Sequence, residues 1–172
     1  KIGILTFHCA INYGAVLQTY ALSESLKALG HNVSVIDYRP EYLLYHYRVC
    51  RSYRLKVSIC GFRVIFHELL TAPIRQLRHI FFYNFVRKRI KLDNLNFVLP
   101  HNDFDAFIFG SDQIWNPMLT GMDPVYLGES AAFEGKRLVA YAASAGSAAN
   151  LSVDDLALLR GSLMKFAAVS VR

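Results

Sequence analysis

The segment Gly110-Ser111-Asp112-Gln113-Ile114-Trp115-Asn116-Pro117 gathers four polar side chains and an indole around a glycine. A carboxylate can orient a hydroxyl and draw its proton, side-chain amides offer donors and acceptors together, and an indole supplies a stacking face. Together these are the means of holding a sugar. Ser111, Asp112, Gln113, Trp115 and Asn116 are therefore candidate contacts. A second reading stands beside this one, in which Asp112 and Asn116 satisfy loop backbone while Trp115 packs in the core.

Three further segments carry residues suited to binding. His8 to Gly14 leads into a helical pattern, where unpaired backbone N–H groups can receive an anion or a hydroxyl. Asn12, Tyr13 and Gly14 are its candidates, with Gly14 letting a ligand approach the backbone; alternatively Asn12 merely caps the helix. Neither G-x-G-x-x-G nor G-x-x-x-x-G-K-[ST] is present, so dinucleotide and P-loop chemistry have no fingerprint here. In Tyr141-Ala142-Ala143-Ser144-Ala145-Gly146-Ser147 the alanines suit close packing, while Ser144 and Gly146 suit substrate contact. Ser170-Val171-Arg172 ends in a guanidinium whose planar fork matches carboxylate or phosphate oxygens, though a solvated side chain is the alternative.

His8 and Cys9 are adjacent on an extended chain, so their side chains point apart and form a poor nucleophile and base pair. The other histidines lack H-x-x-x-H or H-x-H spacing, and Cys9, Cys50 and Cys60 show no C-x-x-C. No metal site is expected. The odd thiol count favours a reducing, cytoplasmic compartment.

These segments need elements to position them. Lys1–Phe7 reads as a strand buried on both faces, Ala15–Leu29 as a helix burying Val16, Leu17, Tyr20, Ala21, Leu26 and Leu29, and Asn32–Tyr38 as a second strand. Gly30 stops the helix. From Glu41 to Asp103 helical spacing dominates, broken into two or three pieces at Gly61 and Pro73, and reads as a basic helical insertion. Phe104–Phe109, Arg137–Ala142 and Ala167–Val171 complete five strands, and Ser152 with Asp155 opens a helix through a capping box. The result is one α/β, Rossmann-like domain over residues 1–172 with a mostly parallel five-stranded sheet. In such sheets ligands gather at the carboxyl ends of the strands.

The 172 residues, 53% hydrophobic and 19% charged, suffice for a core and exclude a disordered chain. The net charge of +6 is concentrated: Arg48 to Lys91 holds eleven basic residues against Glu68 alone, and the remainder sums to −4. Nothing resembles a signal peptide, and the longest apolar stretch, Val57–Leu70, is interrupted by Arg63 and Glu68.

Asn12-Tyr13-Gly14-Ala15, Gly110-Ser111-Asp112-Gln113-Ile114-Trp115-Asn116, Tyr141-Ala142-Ala143-Ser144-Ala145-Gly146 and Ser170-Val171-Arg172, in that order, resemble the polysaccharide pyruvyl transferase family. The resemblance implies a two-domain enzyme of GT-B-like architecture, of which this chain is the N-terminal half. It implies phosphoenolpyruvate as co-substrate, no cofactor, and a sugar, polysaccharide or lipid-linked oligosaccharide acceptor in cell-surface polysaccharide biosynthesis. On it, Arg172 contacts the donor and Asp112 orients the acceptor hydroxyl. The C-terminal domain, with a catalytic histidine and further arginines, is absent from this sequence, so the domain alone is expected to be inactive. Two other readings compete: the acceptor half of a GT-B-like glycosyltransferase, and a non-enzymatic module whose basic segment touches the inner face of a membrane, with nucleic acid the less favoured partner.

Overall fold

The computed structural model of the chain describes residues 1–45, 59–100, 103–147, 149 and 151–171, with backbone alone at 45, 59–70 and 75. Among the described residues six strands form one sheet: β1 (Ile2–Leu5), β2 (Val33–Ile36), β3 (Leu92–Asp93), β4 (Ala106–Phe109), β5 (Arg137–Ala143) and β6 (Ala168–Val171). Their spatial order is β3-β2-β1-β4-β5-β6, and every neighbouring pair is parallel. This is the doubly wound order of Rossmann-type sheets. The expected five strands are corrected to six; Leu92-Asp93 is too short to leave an alternation in the sequence.

Between strands run α1 (Tyr13–Ala28), α2 (Glu41–Tyr45), α3 (Ile59–Arg89), α4 (Pro117–Thr120) and α5 (Val153–Leu163). The expected breaks at Gly61 and Pro73 do not occur, since α3 is continuous through both. Proline removes one main-chain hydrogen bond, whereas the following turns are anchored by Phe82 and Ile90, both buried in the apolar cluster that includes strand residues Ile4, Val33 and Val35. The helical segment thus forms the crossover from β2 to β3.

α1 begins where Asn12 Oδ1 accepts from Gly14 N at 2.9 Å, so Asn12 is a cap. Its buried face is not the expected leucine stripe: Ala15, Val16, Thr19 and Ser23 face inward, while Leu17 and Leu29 are exposed. Small side chains let this helix lie close to the sheet. α5 has the expected capping box, with Asp155 N donating to Ser152 Oγ and Ser152 N donating to Asp155 Oδ2.

Alternation along the strands divides the core. Ile4, Val33 and Val35 pack with Val16, Phe82 and Ile90 beneath α1 and α3. Leu5, Phe107 and Phe109 belong to a larger, aromatic cluster with Trp115, Tyr126, Phe133 and Phe166. Phe133 meets Phe107 and Phe109 edge-on, with centroids 4.9 and 5.3 Å away. Such pairs add to the gain from area burial alone. This rigid layer supports the loop after β4.

Candidate functional site

From the centre of the sheet the chain winds one way through β1, β2 and β3 and the other way through β4, β5 and β6. The segments leaving β1 and β4 therefore diverge, and a crevice opens at their carboxyl ends. Its volume is about 240 Å³. Ala10 and Asn12 line one wall, Asp112, Gln113 and Leu119 the other, and Leu43 of α2 closes a side. Three residues singled out from sequence, Asn12, Asp112 and Gln113, thus meet at one place.

The loop that presents Asp112 is held by its neighbour after β5. Gly110 turns with φ +111°, and a Cβ there would collide with the Tyr141 carbonyl oxygen, so only glycine fits. Ser144 N donates to Asp112 O at 3.0 Å, and Trp115 N donates to Ser144 O at 3.1 Å. Just before this clip the register of β5 against β6 jumps between Ala140 and Ala143, with Ala142 at φ +50°. The irregularity re-aims the chain after β5 toward the loop after β4. Within the loop, Gln113 N donates to Asp112 Oδ1 at 2.8 Å, which fixes the half-buried carboxylate at the crevice. Asn116 Nδ2 donates to Gln113 Oε1 at 2.9 Å.

Other expected contacts are corrected. Trp115 is only 2% exposed, donates through Nε1 to Tyr126 O at 3.0 Å and meets Phe166 edge-on. Its indole is a core anchor, because a large apolar ring with a satisfied N–H gains more by burial than at a solvated edge. Asn116 is buried as the cap of α4, with Oδ1 accepting from Met118 N. Ser111 is buried and does not line the crevice. Tyr13 lies elsewhere: its ring centroid is 4.5 Å from that of Phe82, the Arg78 guanidinium sits over it, and it lines a groove with Leu17 and Phe81. Gly14 is exposed, its N–H taken by the Asn12 cap.

Ser144 and Gly146 brace the site without lining it. The Ser144 hydroxyl accepts from Gly146 N at 3.0 Å. Gly146 has φ +77°, and a Cβ there would lie 2.6 Å from Asn116 Nδ2. Arg172 lies outside the described residues.

A second constellation went unread in the sequence. His8, buried at the end of β1, has Nε2 2.8 Å from Asp37 Oδ1, and Arg39 Nε donates to the same oxygen at 2.5 Å. The bond to His8, then that to Arg39, hold the Asp37 carboxyl down at about 2 against the opposing effect of burial. The only available signal was an acid ending the run Val33–Ile36. Beside this pair lies a cavity of about 350 Å³, lined in part by Arg39, Glu41, His79 and Tyr83. Deeper in, Tyr38 and Tyr42 hydroxyls both donate to Asp123 Oδ2, at 2.7 and 2.6 Å, and burial followed by that bond raises both phenols well above their ordinary range.

Burial pushes the Cys9 thiol up to about 11, which leaves it a poor nucleophile. Among the described residues no three His, Cys, Asp or Glu side chains converge on a common point, and no helix is long and apolar enough to cross a membrane.

No curated protein and no solved structure matches the chain. A family profile does, over residues 12–172, and so takes in Asn12, Asp112 and Gln113 of the crevice and the loop after β5. With that match across nearly all of its length, the chain belongs to the polysaccharide pyruvyl transferase family.

Proposed function

We propose that the protein transfers a pyruvyl group from phosphoenolpyruvate to a sugar, and that the crevice between the β1 and β4 exits holds the acceptor. Family membership supports the class of reaction. One observation carries the placement of the acceptor: Asn12 faces Asp112 and Gln113 across a space of sugar-binding chemistry.

The transfer requires a proton on the terminal vinyl carbon of phosphoenolpyruvate, which makes the neighbouring carbon electrophilic. One sugar hydroxyl adds there. A second hydroxyl of the same sugar then displaces phosphate and closes the ketal. Of the two hydroxyl protons, one balances the new C–H bond and the other leaves with phosphate or solvent. Asp112 orients the attacking hydroxyl and draws its proton, a role suited to a carboxylate fixed by a backbone N–H. Asn12 and Gln113 hold neighbouring hydroxyls.

Arg172 directly follows Val171, the last residue of β6, and we assign its guanidinium to the donor's carboxylate or phosphate. The remaining donor groups and the general acid come from a second α/β half in a GT-B-like arrangement, so that this domain alone binds acceptor without turnover. The acceptor belongs to a cell-surface polysaccharide or its lipid-linked precursor, built on the cytoplasmic side.

The test offers the intact enzyme phosphoenolpyruvate with a panel of glycosides and lipid-linked saccharides. Acceptor-dependent phosphate release, with an acid-labile pyruvyl ketal on the glycan by mass spectrometry, is expected. Nucleotide release from a nucleotide-sugar, with phosphoenolpyruvate left intact, would establish a glycosyltransferase instead.

A further inference from the structure

From Ile74 onward the described side chains of α3 form two apolar faces, of which one packs toward the sheet. Phe82 and Ile90, with the half-buried Val86 between them, pack toward the sheet. Ile74, Leu77 and Phe81 recur at spacings of three and four on a different face and are 69, 55 and 70% exposed. One to two turns further on, Arg87, Lys88 and Arg89 are all exposed. From Thr71 to Lys91 the sequence has six basic residues and no acidic one.

We infer that this outer face of α3 docks the protein on an anionic lipid bilayer. The exposed apolar row enters the boundary between headgroups and acyl chains, and the basic turn engages lipid phosphate and carboxylate groups. A helix lying in a bilayer interface needs an apolar face beside a cationic one. Long basic side chains can reach headgroups while their stems follow apolar surface.

The same observations disfavour other occupants. A two-fold contact between copies through this face would set one basic segment against another, with no acid between Thr71 and Lys91 to offset the charge. A single-stranded nucleic acid, which stacks its bases on aromatic rings, would leave the exposed aliphatic Ile74 and Leu77 of the row in water. The inference does not depend on pyruvyl transfer, so either can fail alone.

The test is co-sedimentation of the intact protein with vesicles of phosphatidylcholine alone and of phosphatidylcholine with phosphatidylglycerol. Binding to the anionic vesicles is expected, weakening as salt is raised. The change of Arg87, Lys88 and Arg89 to Gln lowers the partition coefficient by at least about tenfold. Phe81→Asp lowers it at low and high salt alike, and both variants keep the parent melting temperature because the positions are exposed. Equal binding to neutral and anionic vesicles would overturn the inference. So would unchanged binding by the basic-cluster variant, whose salt-titration counterpart needs no mutation. A dimer that Leu77→Asp dissociates, or tight RNA binding without vesicle binding, would also overturn it.

Discussion

The His8 imidazole and the Asp37 carboxylate meet at 2.8 Å, joining the segments that leave the adjacent parallel strands β1 and β2 beside the cavity that Arg39 and His79 line. The bond holds the chain leaving β1, which carries Asn12 a few residues later. Asp37→Ala leaves a buried imidazole without this partner and is expected to destabilise the fold by about 1–3 kcal/mol. Chemical denaturation at neutral pH measures it.

The same pair has a pH signature. The folded carboxyl is held at about 2, below its ordinary 3.8. A depressed folded value means that the contribution is complete above about pH 4 and is lost as pH falls toward 2. The stability difference between the parent and Asp37→Ala should shrink across that window, as acid titration followed by circular dichroism will show. A difference unchanged down to pH 2 would contradict the pairing.

Much of the fold is legible in the sequence because β1, β2, β4, β5 and β6 are apolar runs bounded by turn residues. β3 is not, since two residues cannot show a period. The His8–Asp37 contact is equally invisible: only the parallel pairing of two strands brings residues so distant in sequence together. The crevice residues Asn12, Asp112 and Gln113 can be read because they lie in the segments that follow β1 and β4, where ligands of parallel sheets gather, even though each side chain also makes a local hydrogen bond. For Trp115 the sequence leaves a stacking face and core packing both open, and the aromatic layer of Phe109, Phe133 and Phe166 beneath it decides for the core.

Two glycines with positive φ should separate left-handed strain alone from greater strain joined to a collision. Gly135→Ala meets no atom within 4 Å but keeps φ +68°, so it should cost about 1 kcal/mol. Gly110→Ala adds a clash with the Tyr141 carbonyl and should cost about 3 kcal/mol or more, or prevent soluble expression. Thermal melts of the two variants compare them directly.

Structural and functional residues in the loop after β4 should part cleanly. Trp115→Ala removes a core anchor and should lower stability by about 3–5 kcal/mol. Asp112→Asn should leave the melting temperature nearly unchanged and lower kcat in the intact enzyme by about 10²–10⁴-fold. Equal stability losses would place Asp112 among the scaffold residues.

With its thiol raised to about 11, Cys9 is thiolate in only about one molecule in 10⁴ at pH 7. Iodoacetamide should leave it unmodified in the folded protein, as peptide mapping will show, and Cys9→Ser should retain parent turnover.

The most direct test separates the two substrates kinetically. In the intact enzyme, Asn12→Ala should raise KM for the acceptor sugar about tenfold while leaving KM for phosphoenolpyruvate unchanged. A rise in KM for phosphoenolpyruvate with the acceptor value unmoved would contradict an acceptor site between the β1 and β4 exits.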